Sequence, residues 1–278
     1  MKYVLYNPLS GNNQGKVKAE EFNISILGEL IDLLTIDISN FIESVAQTDE
    51  IYLVGGDGTI FYFINQVEYS PNLPNVFYVP TGTGNDFAQD VFYGKTPEKV
   101  ILLNPYMKKL PTVTVNGKEY KFINGVGFGI DGMCCQVGDE LRAKKVKKIN
   151  YTSIAIKQLL FKYKKRNAKV LCDGKTYFYK NVWIAPTMLG RFYGGGMMVA
   201  PNQDRLESST LSQVVFKGFS RLITLLIFPK IFKGEHVKHK KRIAICEGRE
   251  ITVEFSIPCA LQVDGETFKN VSKYTVKF

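Results

Sequence analysis

The stretch "VGGDGTIFYF" at residues 54–63 constrains the fold of this chain more than any other feature. An apolar strand, "EIYLV", enters it, and an apolar helix, "IFYFINQV", leaves it. The connection between them consists of Gly55, Gly56, Asp57, Gly58 and Thr59. Backbone N–H groups at such a helix start attract phosphate, and glycine lets the anion approach closely. The alternative is a plain strand–turn–helix whose glycines serve only the backbone geometry.

The carboxylate of Asp57 is the informative group in this loop. It repels phosphate unless a cation or hydrogen bonds offset its charge, so its presence favours Mg²⁺. No Lys-Ser or Lys-Thr pair follows the glycines, which excludes the common Walker loop.

Two further polar loops follow other predicted strands. "TGTGND" occupies residues 81–86, and "NPLSGNNQGK" occupies residues 7–16. Because the carboxyl ends of parallel strands share one edge of a sheet, we expect all three loops to converge there. Ser10 and Gly11 can donate to phosphates, and Lys16 can neutralise one. The sequence therefore predicts a metal–nucleotide site.

The hydrophobic pattern changes along the chain. Strand-like and helix-like segments alternate up to about Pro105, which is typical of a parallel sheet covered by helices. Later segments alternate in hydrophobicity residue by residue and are joined by Asn-Gly or Asp-Gly pairs at 116–117, 173–174 and 264–265, which predicts an antiparallel sandwich or barrel. Helical insertions are expected at 148–166 and 220–232.

We therefore predict an α/β chain with a Rossmann-like domain at residues 1–107 and an antiparallel β-sandwich domain at residues 108–278. The last few residues could instead return to the first domain. "GVGFGIDG" at 125–132 superficially suggests a dinucleotide loop, but its spacing and position favour a strand and turn of the sandwich. His236 and His239 are interpreted as surface basic groups and not as a metal site.

Charge is distributed unevenly. The net charge is +10, yet residues 1–105 hold 5 Lys and Arg against 13 Asp and Glu, so the remaining residues carry +18. The basic segments "RAKKVKK", "KYKKR" and "KHKKR" predict docking on an anionic membrane surface. The alternative is a basic solvated face. "LITLLIFPKIF" either forms a buried helix, which we favour, or enters the membrane interface.

The remaining sequence features indicate a cytoplasmic protein that associates peripherally with a membrane. No apolar run reaches the roughly 18 residues that span a bilayer, and the first residues suggest a strand and not a signal peptide. Five cysteines without a Cys-x-x-Cys pair fit reduced thiols. No nucleic-acid motif occurs, so no nucleic-acid partner is expected. A homodimer is left open.

At these motifs the chain resembles the diacylglycerol kinase/sphingosine kinase family of lipid kinases, in particular its compact bacterial members. "NPLSG", "GGDGT" and "PTGTGNDFA" carry the resemblance, although "GGDGT" also occurs in NAD kinases and phosphofructokinases. Further motifs follow in the family's order: "INGVGFGID", "GGGMMVAP", "GEHVKH" and "ALQVDGE". The resemblance spans nearly the full chain. It implies an NAD kinase-like nucleotide domain, a C-terminal β-sandwich, and ATP and Mg²⁺ as cofactors.

The resemblance also implies site residues. Asp264 corresponds to the general base, although an Asp-Gly pair also suits a hairpin turn, and both can hold. The implied nucleotide-binding set is Asn7, Pro8, Ser10, Gly11, Lys16, Thr35, Gly55, Gly56, Asp57, Gly58, Thr59, Gly82, Thr83 and Asn85. The implied Mg²⁺-linked carboxylates are Asp57, Asp86 and Glu266.

Some positions depart from the family pattern. Phe61 and Tyr62 replace a common Asn-Glu pair, and Asn104 stands where an acid is usual, so one acid of the network is expected to be missing. "NQDRLESSTL" lacks a glycine that helps build a structural Mg²⁺ site, which predicts a weak or absent metal there. The leading interpretation is an ATP-dependent kinase acting on a lipid hydroxyl such as that of diacylglycerol. The alternatives are an NAD kinase-like enzyme and a catalytically impaired nucleotide or lipid sensor.

Overall fold

The computed structural model describes residues 1–82, 84–144, 146, 154, 157 and 162–278. These divide into two compact units, Met1–Leu110 and Pro111–Phe278. The division lies three residues beyond the predicted boundary at 107/108, and the residues up to Phe278 group with the second unit.

The described residues of the first unit form a five-stranded sheet with the order β2-β1-β3-β4-β5. Neighbouring strands are parallel except for β5, which runs antiparallel to β4. The strands are β1 (Lys2–Tyr6), β2 (Glu29–Asp32), β3 (Glu50–Gly55), β4 (Asn75–Pro80) and β5 (Ile101–Leu102). The helices are α1 (Ser10–Asn13), α2 (Gly15–Ile26), α3 (Ile38–Ser44), α4 (Asp57–Ile64), α5 (Asp86–Val91) and α6 (Asn104–Met107).

The central strands of this sheet are apolar along most of their length. Val4 and Leu5 of β1 and Leu53 and Val54 of β3 are fully buried, as expected for a parallel sheet covered on both faces. Strand β2 is short, because after Asp32 the chain turns and the Thr35 hydroxyl donates to the Asp32 carbonyl at 2.8 Å.

The described residues of the second unit form a nine-stranded antiparallel sheet. Its strands are β6 (Thr112–Val115), β7 (Lys118–Lys121), β8 (Gly125–Gly129), β9 (Arg166–Cys172), β10 (Lys175–Met188), β13 (Leu211–Lys217), β14 (Ile243–Gly248), β15 (Glu250–Val263) and β16 (Glu266–Lys277). A separate small ribbon pairs β11 (Phe192–Tyr193) with β12 (Met197–Met198). The helices that lie wholly within the described residues are α7 (Ile130–Ala143) and α8 (Arg221–Ile227), and 3-10 turns there span Phe228–Lys233 and Glu235–Lys238.

Two long strands organise this sheet. Both β10 and β15 pair with β9 over one part of their length and with β8 over another. A register shift interrupts β10 between Tyr179 and Val182, where its partner changes. The β-rich fold class is therefore confirmed, and β-hairpins connect the strands at 116–117, 173–174 and 264–265.

The predicted turn after "GVGFG" was wrong, because strand β8 runs directly into helix α7. Gly129 has φ +130°, and a Cβ there would lie 2.3 Å from the Trp183 carbonyl oxygen. A Cβ on Gly132 would lie 2.3 Å from the Ala260 carbonyl oxygen. Both positions therefore require glycine, which lets the chain change direction and lets α7 pack closely on β15.

The Asn104 side chain forms hydrogen bonds with the backbone at the start of β4 in the first unit. Its side-chain amide donates to the Pro74 carbonyl at 3.0 Å, and its side-chain oxygen accepts from the Val76 N–H at 2.8 Å. Because β5 runs antiparallel to β4, Asn104 lies at the edge opposite the glycine loops. An acid at this position would therefore add no carboxylate to the edge where those loops lie.

We expect Asn104→Asp to destabilise the protein and not to repair a site. A carboxylate cannot donate to the Pro74 carbonyl, and losing a buried hydrogen-bond partner costs about 1–3 kcal/mol. Urea unfolding followed by far-UV circular dichroism measures the free energy of unfolding. Asn72→Asp, in the exposed loop before β4, should change it by less than about 0.5 kcal/mol. A stabilised Asn104→Asp variant would contradict this assignment.

Candidate active site

Two glycine loops lie back to back at the carboxyl edge of the first-unit sheet. The Gly55 carbonyl at the end of β3 accepts from the Thr81 and Gly82 N–H groups at 2.8 and 3.2 Å. A Cβ on Gly82 would lie 2.7 Å from the Gly56 Cα. The loops after β3 and β4 therefore approach each other at a distance that only glycine permits, and the convergence expected from the sequence is present.

The Asp57 carboxylate ties these loops together. One of its oxygens accepts from the Asp86 N–H at 2.9 Å and the other from the Phe87 N–H at 3.0 Å. Asp57 is thus the first residue of α4 and also caps the start of α5. These hydrogen bonds offset its negative charge, which is one of the two conditions under which an acid is tolerated in a phosphate-binding loop.

Two hydroxyl groups in the loops of this edge have no hydrogen-bond partner. Among the described residues, the Ser10 and Thr81 hydroxyl oxygens are buried and have no hydrogen-bond partner. Buried polar groups are normally paired, and an unpaired one in a native fold calls for an explanation such as a ligand. These hydroxyls lie in two of the three predicted phosphate-binding loops, so they fit a polar ligand with many oxygens.

The lysine at this edge is Lys18, and the sequence analysis missed it. Its ammonium donates to the Thr81 carbonyl at 2.5 Å, and a Cβ on Gly11 would lie 3.4 Å from it. Lys16 is exposed and lies 3.9 Å from Glu20 on the same helix. Its role in binding nucleotide stays a prediction. Lys16 and Lys18 are two residues apart on α2 and therefore lie on different faces of the helix, so only the packing of α2 distinguishes them.

The other predicted nucleotide-binding residues lie in the same loops. Asn7 accepts from the Leu9 N–H at 2.9 Å, which shapes the turn around Pro8. Asn85 has φ +50°, and its amide donates to the Gly82 carbonyl at 2.8 Å. Thr59 is buried. Exposed Thr35 follows β2 at this edge, and Thr83 lies outside the described residues.

Two carboxylates of the first unit could hold a divalent cation. The Asp57 carboxylate accepts a hydrogen bond from the Asp86 N–H, so the two residues are neighbours, and Asp86 is buried. Within the described part of the chain, no group of three or more His, Cys, Asp or Glu side chains has metal-binding geometry. Mg²⁺ is commonly held by one or two carboxylates together with substrate phosphates and water. The donor set therefore fits a Mg²⁺ that arrives with a nucleotide.

A separate cleft of about 500 Å³ lies at the opposite edge of this sheet. Asn75, Leu102, Asn104 and Lys108 line part of it, and no carboxylate belongs to its wall. Without glycine loops or acids, this cleft lacks the groups that phosphate and Mg²⁺ require. We therefore place the candidate site at the glycine-loop edge.

Lys18→Met is expected to weaken binding of Mg-ATP. A charge-assisted hydrogen bond from the Lys18 ammonium to a phosphate oxygen would contribute about 1.5–3 kcal/mol. Its loss should therefore raise the dissociation constant of Mg-ATP about tenfold or more. Isothermal titration calorimetry measures it. Lys16→Met is the matched control on the same helix and should stay near the wild-type value. If Lys16→Met weakened binding and Lys18→Met did not, the sequence-based assignment would stand instead.

Asp264 forms the turn between β15 and β16 in the second unit. Asp264 and Gly265 have φ +47° and +92°, and the flanking residues Val263 and Glu266 pair across the hairpin. This turn places the aspartate side chain in the interior, where it is 5 % exposed. The hairpin interpretation of the Asp-Gly pair is therefore correct, and the same turn presents a carboxylate.

Three backbone N–H groups hold that carboxylate. Ile123 donates at 2.6 Å, Asn124 at 2.8 Å and Gly125 at 2.9 Å. The buried Arg205 guanidinium supports the same segment, because it donates to the Ile123 carbonyl at 2.9 Å and to the Asn124 side-chain oxygen at 3.2 Å. The carboxylate of Asp264 therefore has a fixed orientation.

The second unit also contains Glu266, a predicted Mg²⁺-linked carboxylate, and the segment "NQDRLESSTL", where a metal site was expected to be weak or absent. Glu266 opens β16 and is exposed. Asp204, in the segment "NQDRLESSTL", contacts the Arg191 guanidinium at 3.1 Å and accepts from the Leu206 and Glu207 N–H groups. These partners offset the negative charge of Asp204.

A buried polar cluster around Asp131 was not identified from the sequence. Asp131 lies in the first turn of α7, and among the described residues its carboxylate, the Tyr193 hydroxyl and the Gln262 amide nitrogen are buried without hydrogen-bond partners. Burial raises the pKa of Asp131 to about 6, against the opposing effect of the nearby Tyr193 and Gln262. Asp131 belongs to the "GVGFGIDG" motif, which the sequence analysis interprets only as a strand and turn.

Asp131→Asn should stabilise the protein at alkaline pH. The folded-state pKa of about 6 lies above the ordinary value of 3.8, so the stabilising contribution of Asp131 is full at low pH and is lost as pH rises through about 6. The loss amounts to roughly 3 kcal/mol. Trp183 is the single tryptophan and is buried in the second unit, so its fluorescence reports unfolding there. The variant should melt several degrees higher at about pH 8 and near wild type at about pH 3.5, below the ordinary pKa of an aspartate. A pH-independent difference would contradict the assignment.

Known proteins match both units. The diacylglycerol kinase catalytic domain model matches residues 2–110, and the model for the YegS C-terminal NAD kinase beta sandwich-like domain matches residues 124–275. A diacylglycerol kinase of Mycobacterium tuberculosis is 27% identical over 84% of this chain and 79% of its own. One of Bacillus subtilis is 24% identical over 80% of this chain and 73% of its own.

The fold matches a solved structure over nearly its full length. The crystal structure of a diacylglycerol kinase from Bacillus anthracis superposes with a TM-score of 0.66 to 0.64 in its several determinations, covers 99% of this chain and 93% of its own, and shares 17% of its residues. The chain belongs to the diacylglycerol kinase-like lipid kinase family, and the resemblance seen in its motifs is confirmed.

Proposed function

We propose that this protein transfers the γ-phosphoryl group of ATP to a hydroxyl of a membrane lipid such as diacylglycerol, with Asp264 as the general base. The observation that carries this proposal is the buried Asp264 carboxylate, which three backbone N–H groups hold in a tight turn. The diacylglycerol kinase names of several relatives support a lipid hydroxyl as the acceptor.

The chemistry requires few protein groups. In phosphoryl transfer, positioning and charge neutralisation supply most of the catalysis. Asp264 accepts the proton of the lipid hydroxyl while that oxygen forms a bond to the γ-phosphorus and the bond to ADP breaks. A carboxylate with a fixed orientation suits this role because little reorganisation is needed during the reaction.

The first unit supplies the nucleotide-binding groups. Helix α4 starts at Asp57 in this edge without a side-chain hydrogen bond at its cap. Lys18 provides a fixed positive charge there, and the Ser10 and Thr81 hydroxyls provide polar partners. Mg²⁺ beside Asp57 and Asp86 would neutralise the phosphate charge.

Asp264→Asn should reduce phosphoryl transfer at least about 100-fold, because a general base typically contributes that much or more. The assay follows labelled γ-phosphate from ATP into lipid in mixed micelles of diacylglycerol, and mass spectrometry identifies the product.

The chain offers a matched control in Asp173. It lies in the same kind of Asp-Gly turn, with φ +42° followed by +81°, and its exposed carboxylate accepts from the Arg249 and Glu250 N–H groups. Asp173→Asn therefore loses comparable hydrogen bonds and should keep wild-type activity. Equal losses in both variants would indicate a structural effect and would overturn the role of Asp264.

The same assay, run with NAD added to the micelles, separates the alternatives. Label in NAD and not in lipid would establish an NAD kinase-like enzyme. Mg-ATP binding without label in any acceptor would establish a nucleotide sensor.

A further inference from the structure

An apolar surface on the second unit is not required by the fold of that unit. Five large apolar side chains in and beside α8 point outward, and we name them the apolar ridge: Phe219, Leu222, Ile223, Leu226 and Phe232. Phe219 is 79% exposed, Leu222 68% and Leu226 66%. The expectation that this segment forms a buried helix was therefore wrong for one of its two faces.

The opposite face of the segment anchors it. Ile227, Phe228 and Ile231 belong to the core of the second unit. The Ser220 hydroxyl caps α8 by accepting from the Ile223 N–H at 3.3 Å, and the Thr224 hydroxyl donates to the Ser220 carbonyl at 2.9 Å. The helix is thus fixed without help from the ridge, so exposure of its leucines costs free energy in water and gains nothing for the fold.

Positive charge surrounds the apolar ridge. Residues 217–242 contain eight Lys and Arg and one acid, Glu235. Lys230 and Lys233 are exposed in the turn that follows α8. His236 adds no charge at neutral pH, because it is buried and burial lowers its pKa to about 4. The earlier interpretation of His236 as a surface group was therefore wrong, and the lysines and arginines alone define the charge.

Phe219 is held in its exposed position. The Lys165 ammonium donates to the Phe219 carbonyl at 2.6 Å and lies 4.4 Å from the centre of its ring. Arg221, at the start of α8, donates to the Tyr163 carbonyl at 2.7 Å. The segment around Lys165 is basic as well, since residues 162–166 read "KYKKR". The aromatic ring and the cations therefore form one fixed surface.

We propose that the apolar ridge enters the interface of an anionic lipid bilayer while the surrounding lysines contact lipid phosphates. This inference rests on the proposed function, because it places the enzyme at the surface that contains its acceptor. Apolar side chains with a basic border fit a bilayer, whose interface combines hydrocarbon with negative charge. A second copy of the chain would instead bring two basic borders together.

Sedimentation with vesicles tests this proposal without any catalysis. The vesicles contain phosphatidylcholine with or without phosphatidylglycerol, and neither diacylglycerol nor ATP is present. The wild-type chain should bind the anionic vesicles, and the double variant Leu222→Ser/Leu226→Ser should lower the partition coefficient about tenfold or more, given the free energy of burying a leucine. The matched control, Ile24→Ser/Leu206→Ser, removes two apolar residues that are exposed elsewhere and should leave binding unchanged.

The charge component has its own pair of variants. Lys230→Glu/Lys233→Glu should reduce binding to anionic vesicles at least about tenfold, since each Lys near such a surface contributes about 1 kcal/mol. The control Lys118→Glu/Lys273→Glu changes two exposed lysines on strands β7 and β16 and should reduce binding to anionic vesicles far less. High salt should weaken wild-type binding. Far-UV circular dichroism verifies that every variant is folded.

Several results would overturn the proposal. These are no wild-type binding to anionic vesicles, equal losses in the ridge and control variants, or unchanged vesicle binding with loss of a dimer in sedimentation velocity. The last result would assign the ridge to a second copy of the chain. Failure here leaves the mixed-micelle assay unaffected, because that assay needs no vesicle docking, so it is distinguishable from failure of the proposed function.

Discussion

The hydrogen bonds from the Asp86 and Phe87 N–H groups to the Asp57 carboxylate are the interaction on which the candidate nucleotide site depends. They join the start of α4 to the start of α5 and so fix two loops that come from different strands. The close approach of Gly56 and Gly82 is possible only because neither carries a side chain. Without this junction the N–H groups and hydroxyls of the two loops would not share one surface.

Two Asp-Gly turns of the second unit have the same local geometry but different surroundings. Asp173 and Asp264 both occupy left-handed turns and accept backbone N–H groups. The turn at Asp173 faces solvent, and the turn at Asp264 faces the interior of the unit. The turn geometry alone therefore does not make an acid catalytic. Burial and the support of Arg205 distinguish the Asp264 turn.

Much of this organisation could be predicted from the sequence. Glycine loops after apolar strands indicate converging phosphate-binding groups, and Asp-Gly pairs between alternating segments indicate hairpins. The choice between Lys16 and Lys18 depended on which face of α2 meets the sheet, which loop composition does not specify. The location of Asn104 depended on the antiparallel direction of the two-residue strand β5. The Asp131 cluster assembles from α7, β15 and the β11 ribbon, so only the tertiary fold brings it together.

Hydrogen–deuterium exchange in the presence and absence of Mg-ATP tests most directly whether the glycine-loop edge binds the nucleotide. Our account predicts slower exchange in peptides that cover residues 7–15, 55–60 and 81–87, and no change at the opposite edge of the sheet. Protection confined to the cleft beside Asn75 and Lys108 would contradict it.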